Sequence, residues 1–171
     1  RRVLFRSQEK RGGRVHVTGV GKPSYIAGYI ASLLSSVGTC AYYLDATESI
    51  HGSSGQVKNE DIVIAISNSG ETEELKSCIK NLRERRIAII SCTSDQDSWL
   101  GENSEVALIA KVEKEGDRLN KPPRTSILIE LIVLQLLSIE LQELKHIGPK
   151  DYIKWHPGGT LGEVTREEIN R

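Results

Sequence analysis

The stretch SNSGET at residues 67–72 stands directly behind the apolar run DIVIAI at 61–66. A strand that ends in small hydroxyl residues and opens a helix is well suited to holding an anion. The helix N-terminus presents unpaired N–H groups and the positive end of the helix dipole. Gly70 allows a tight turn, and Ser67, Ser69 and Thr72 can each donate a hydrogen bond to a phosphate oxygen. The same residues also suit a plain helix N-cap with a capping acid, and spacing alone does not separate the two readings. A second loop, GVGKPS at 19–24, has a similar composition, and its Lys22 would bring charge. Neither loop is a nucleotide fingerprint. GVGKPS lacks the GxGxxG spacing and the six-residue span and GK[ST] ending of a P-loop. A phosphate cradle without such a fingerprint points to a phosphorylated metabolite.

Acid–base groups flank these loops. His51 in SIHGSSG and His156 in KWHPGGTLG sit in glycine-rich loops, where a ligand can approach the backbone. His16 falls inside an apolar run and reads as a strand residue. His146 follows a long helix and suits its C-terminal dipole. Glu71 and Glu74 occupy the first turn after the cradle, and Glu113, Glu115 and Asp117 lie in a later loop. A carboxylate beside a phosphosugar can shuttle a proton, although each of these acids also suits a solvated loop or helix face. No His or Cys group has metal-ligand spacing, so no metal is expected.

The elements that must position these groups follow from hydrophobic patterning. Apolar runs at 14–20, 39–44, 61–67, 87–93 and 106–112 read as strands and alternate with helices. That alternation implies an α/β fold with a parallel sheet covered on both faces. In such sheets ligands sit beyond the carboxyl ends of the strands. The helix at 71–86 puts Leu75, Cys78, Ile79 and Leu82 on one face. Residues 45–55 read as a loop with a short helix, and 97–102 as another short helix. The longest helix, about 125–144, is apolar nearly all round and suits a subunit interface. Glu130, Gln135, Ser138, Glu140, Gln142 and Glu143 interrupt it, so it does not read as a membrane span.

The 171 residues suit one domain, and 38% hydrophobic with 27% charged residues is a soluble globular balance. Lys plus Arg and Asp plus Glu both number 23, so no global basic field recruits nucleic acid or anionic lipid. Cys40, Cys78 and Cys92 are odd in number and far apart. They read as buried reduced thiols in a reducing, cytoplasmic compartment. No signal or transit peptide is visible. The chain contains no Met and begins abruptly with RRVLFRSQEKRGG, so residues 1–13 read as an altered N-terminal remnant of little structural weight.

Taken in order, VTGVGKPS, HGSSGQV, DIVIAISNSGETEEL, the acid in KVEKEG, and HPGGTLG resemble the sugar isomerase (SIS) domain family. Specifically, they resemble its arabinose-5-phosphate isomerases, which supply Kdo synthesis. The similarity runs from about residue 14 to about 163, leaving 164–171 as a tail. It implies a single SIS domain with a five-stranded parallel sheet in flavodoxin-like order, helices on both faces, and a homotetramer. It implies that Ser67, Asn68, Ser69 and Thr72 hold a sugar phosphate, with Ser24 beside them. It further implies that Lys22, His51, Glu74, Glu115 and His156 line an active site shared between subunits, with His51 or His156 acting in a neighbour's pocket.

The implied reaction converts D-arabinose 5-phosphate to D-ribulose 5-phosphate through a cis-enediolate, without a cofactor. Glu115 would be the base, with Glu74 second in line. His156, ahead of His51, would move the proton between oxygens or assist ring opening. Lys22 would stabilise the oxyanion or the phosphate. The sequence departs from the family in three places. Pro23 follows the lysine where serine is usual, with Ser24 one place later. GDRLNKPPRTS replaces the usual Cys-Pro and Ala-Pro-Thr-Ser segment, so Arg124 stands where threonine is common, either as a second anion contact or facing solvent. No CBS domains follow HPGG in these residues. A non-catalytic SIS module that binds a phosphosugar or sugar nucleotide as a regulator would keep the cradle and could lose the acid–base set. An isomerase of another phosphosugar would share the fold.

Overall fold

The computed structural model describes Phe5 and residues 12–170; the rest of the 1–13 remnant lies outside the described residues. The five apolar runs form strands β1 (Val15–Gly19), β2 (Ala41–Tyr43), β3 (Ile62–Ile66), β4 (Ala88–Thr93) and β5 (Val106–Ile109). They build one parallel sheet in the order β2-β1-β3-β4-β5, the flavodoxin-like order expected from the sequence. Helices α1 (Lys22–Ser36), α2 (Ala46–Ser49), α3 (Glu73–Glu84), α4 (Trp99–Glu102) and α5 (Thr125–Leu144) connect and cover it. A single 3-10 turn, Ser53–Gln56, follows α2. Two further helices, α6 (Pro149–Trp155) and α7 (Gly159–Ile169), close the described chain.

Alternation along the strands builds a core on each face of the sheet. In β3, Ile62, Ile64 and Ile66 join a cluster with Ile26, Ile30 and Leu34 of α1 and Leu134, Leu137 and Leu141 of α5. Val63 and Ala65 point the other way and join Leu75, Cys78, Ile79 and Leu82 of α3. All four α3 residues picked out by periodicity are buried. Phe5 is also buried in the first cluster, so the N-terminal remnant contributes at least one core side chain, against the sequence expectation. Cys78 and Cys92 are buried free thiols, but Cys40 is exposed, contrary to the sequence reading. It precedes β2, the edge strand, where no neighbouring strand covers the chain. No helix among the described residues is long and apolar enough to cross a membrane.

One polar group is buried at the amino end of the sheet. Asp61 accepts from the Arg14 backbone N–H at 2.8 Å, the Arg14 guanidinium at 2.9 Å, the Lys58 N–H at 2.9 Å and His16 Nε2 at 2.9 Å. Burial works to raise the Asp61 pKa, but these donors outweigh it and hold the carboxyl below its usual range. Asp61→Ala should therefore cost about 3–5 kcal/mol in urea unfolding, because several buried donors lose one acceptor. His16 shifts the other way from a typical ion-paired imidazole. Burial outweighs the adjacent Asp61, so the folded-state pKa lies below the ordinary 6.5. The unfolded chain then binds more protons in that window, and His16's contribution to stability is lost as pH falls below 6.5.

Candidate active site

The connections reverse direction between β1 and β3: β1 leads through α1 to β2 on one side, while β3 leads to β4 and β5 on the other. A crevice forms where loops diverge from such a point. The loop GVGKPS leaves β1 and SNSGET leaves β3, and the last residues of the two strands, Gly19 and Ile66, are paired. Gly19 permits this close approach, since a Cβ there would meet Pro23 at 2.9 Å and the Ile66 carbonyl oxygen at 3.1 Å. Gly70 turns SNSGET with a φ of 68°, and a Cβ on it would strike the Ser98 side chain.

A cleft of about 320 Å³ opens between these loops. Ser67, Asn68, Ser69 and Thr72 line one side with Lys22, and Glu115, Lys121 and Glu130 line the other. Gly70 N–H donates to Ser67 Oγ at 3.2 Å, Glu71 N–H donates to Ser69 Oγ at 3.2 Å, and the Ser67 and Thr72 hydroxyls lie 3.2 Å apart. Thr72 is the N-cap of α3, yet its side chain makes no capping hydrogen bond. The Ser67 and Thr72 hydroxyls thus face one another across the loop, and Thr72 does not close off the helix end. Glu71 instead braces the loop from outside, accepting from the Trp99 N–H at 2.7 Å and pairing with Lys76. A larger groove of about 380 Å³ between β5 and α5 is lined mainly by aliphatic side chains and Phe5, and lacks hydroxyl donors.

Glu115 is fixed by the amino end of α5. Its carboxylate accepts from the Arg124 N–H at 2.6 Å and the Ser126 N–H at 3.2 Å. Partial burial raises its pKa, but the N–H groups at the amino end of α5 outweigh that and hold it below the usual range. Residues of the segment GDRLNKPPR stitch this loop. Glu115 N–H donates to Asn120 Oδ1 at 2.7 Å, Asn120 N–H donates to Asp117 Oδ1 at 2.7 Å, and Asp117 pairs with Arg124 at 2.7 Å. The Arg124 guanidinium is spent on Asp117 at the surface and does not line the cleft.

The protomer brings together Lys22, Ser67, Asn68, Ser69, Thr72 and Glu115, but not the remaining sequence candidates. Ser24 Oγ donates to the Gly21 carbonyl at 2.6 Å and does not line the cleft. Glu74 is exposed on α3 and His51 is exposed after α2. His156 follows α6 and stacks on Tyr152 with ring centroids 3.9 Å apart. None of these three lines the cleft of the same chain. Sequence patterning does not single out Lys121 or Glu130 as site residues. Lys121 sits in an irregular loop with no pattern to mark it. Glu130 does carry a signal: it shares a helical stripe with Ser126, Leu134, Leu137 and Leu141, where a core-facing carboxylate is out of place.

Sheet order, cradle and carboxylate together define an α/β domain with a polar cleft at its topological switch point. The chain belongs to the SIS domain family, whose profile matches residues 9–140. It is 36% identical over 150 residues to the arabinose 5-phosphate isomerase KdsD of Pseudomonas aeruginosa, covering 88% of this chain and 46% of that one. It is 37% identical over 160 residues to the KdsD of Francisella tularensis, covering 94% and 48%. The chain thus spans about half the length of the curated relatives it matches. A protein of E. coli CFT073 solved in complex with arabinose 5-phosphate superposes with a TM-score of 0.84 at 33% identity, covering 91% of this chain and 82% of that one.

Proposed function

We propose that this domain is an aldose–ketose isomerase that converts D-arabinose 5-phosphate to D-ribulose 5-phosphate. The observation that carries this reading is the cleft itself, which sets an ionised carboxylate, Glu115, opposite a cradle of hydroxyls and a lysine. The cradle and Lys22 bind the phosphate, and Glu115 takes a proton from the carbon next to the carbonyl, giving a cis-enediolate without a cofactor. Relatives named arabinose 5-phosphate isomerase and the similar structure in complex with arabinose 5-phosphate support that sugar. Residues 14–163 form the catalytic domain in this reading. His156, or second to it His51, reaches the cleft from a neighbouring protomer of a homotetramer and assists ring opening, and Glu74 stands in reserve as a base. The protein works in the cytoplasm, and its activity feeds Kdo supply for lipopolysaccharide or capsule.

Incubation of the oligomer with D-arabinose 5-phosphate, followed by assay of ribulose 5-phosphate, tests the proposal. Turnover with competitive inhibition by inorganic phosphate is expected. Saturable phosphosugar binding with no turnover would overturn it in favour of a regulatory SIS module.

A further inference from the structure

We propose that Glu130 is a second acid–base residue of the cleft, giving a proton to the sugar's carbonyl oxygen while Glu115 takes one from the adjacent carbon. The assignment rests on the isomerase reading above.

The geometry carries it. Glu130 lies one turn beyond Ser126 on the core-facing stripe of α5, in line with Leu134 and Leu141. It is 0% exposed, and neither carboxyl oxygen has a hydrogen-bond partner among the described residues. A buried polar group without a partner is costly, and a plain core would place an apolar side chain here. The site is not plain core, because Glu130 lines the cleft. Asn68 Oδ1, also buried and unpartnered, belongs to a residue lining the same cleft from SNSGET. Ser126 Oγ is buried and unpartnered in the same lining, so three unsatisfied polar side chains from two elements meet one space. Such a space suits an occupant rich in hydroxyl and carbonyl oxygens, beyond what the phosphate cradle alone requires.

Electrostatics divides the work between the two carboxyls. Glu115 faces Glu130 from the loop before α5, Lys22 and Lys121 line the same cleft, and the Cys92 thiol approaches from β4. Burial first, and then the negative charge of Glu115, push Glu130 up to about 7. Glu115 is held low by its N–H donors. A pair of carboxyls driven apart in this way supplies one acid and one base at neutral pH.

The step balances without any outside reagent. The Glu115 carboxylate accepts the C2 proton as the Glu130 carboxyl protonates O1, which gives a neutral enediol. Glu115 then returns its proton to C1 while the Glu130 carboxylate takes the proton from O2. The ketose leaves, and both groups are back in their starting states. Glu130 thereby performs, within one protomer, the oxygen-to-oxygen transfer that the family resemblance assigns to a histidine.

The test compares wild type with Glu130→Gln on D-arabinose 5-phosphate across pH. Wild-type kcat should fall as pH rises past about 7, since the acid must be protonated. Glu130→Gln should lower kcat by about 10²-fold or more, leave KM within a few-fold, and abolish that basic limb. An equally active variant with the limb intact overturns the assignment alone. A wild type without turnover overturns the isomerase reading, and the assignment falls with it. If the variant does not fold, infrared difference spectra of the wild type decide. A protonated-carboxyl band at pH 6 should move with arabinose 5-phosphate but not with inorganic phosphate, and a band indifferent to the sugar overturns the proposal.

Discussion

Glu115→Gln is expected to lower kcat for arabinose 5-phosphate by about 10²–10⁴-fold while KM stays within a few-fold. The separation follows from the architecture of the cleft. In the proposed reading the phosphate is held by SNSGET and Lys22, which leave β3 and β1, whereas Glu115 comes from a separate loop stitched to α5. The glutamine oxygen can still accept from the Arg124 and Ser126 N–H groups, so α5 keeps its anchor and the variant should fold normally. Exchange of the C2 proton with solvent deuterium should vanish along with turnover. Wild-type kcat/KM should fall on the acid side only when pH drops below the ordinary carboxylate range. The base must be ionised, and its donors keep it ionised to unusually low pH. A variant that still turns over and exchanges C2 would move the base to Glu74, reaching the cleft from a neighbouring chain.

Much of this arrangement is legible in the order of residues. The alternation within DIVIAI divides between two cores as its period requires, and Leu75, Cys78, Ile79 and Leu82 are buried as the helical spacing of α3 predicts. SNSGET and GVGKPS meet at the switch point because the strand order makes them neighbours. What escapes the sequence is set by contacts distant along the chain. Asp61 meets His16 45 residues away, and no local pattern announces that pair. The linkage of Glu115, Asn120, Asp117 and Arg124 depends on an irregular loop with positive φ at Gly116 and Asn120. Helices α6 and α7 are separated by glycines in HPGG, which conceal a helix start as readily as they suggest a loop. In the sequence Glu130 reads as a break in an apolar helix. Its position on the buried stripe is what gives that break meaning.

If the proposed homotetramer forms through α5, Ile132→Glu combined with Ile139→Glu should dissociate it to monomers in light scattering and reduce turnover by at least about 10²-fold, without loss of helical circular dichroism. Both faces of α5 carry large apolar side chains, with Leu134, Leu137 and Leu141 on the buried side. That side also carries Ser126, Glu130 and Ser138, while Leu128, Ile132, Leu136 and Ile139 stand 57%, 49%, 56% and 55% exposed. These four lie at helical spacing along one ridge, a stripe of apolar surface that a monomer would leave in water. Each is already about half buried, so covering the rest contributes about 1 kcal/mol apiece on each subunit. Charging two positions on that ridge removes the driving force and leaves Leu134, Leu137 and Leu141 to hold α5 on the sheet. Glu115 and Glu130 stay with the single protomer, so the loss of activity should come from the proposed ring-opening histidine of the neighbouring chain, which no longer reaches the cleft. Mixed oligomers give the sharper result. Glu115→Gln and His156→Asn subunits, each inactive alone, should regain turnover when refolded together if His156 serves the neighbour's cleft. If His51 is the shared group, only the Glu115→Gln and His51→Asn pair should recover. Dissociation with full activity retained would mean that one chain completes its own site, and the histidines would then have no part in catalysis.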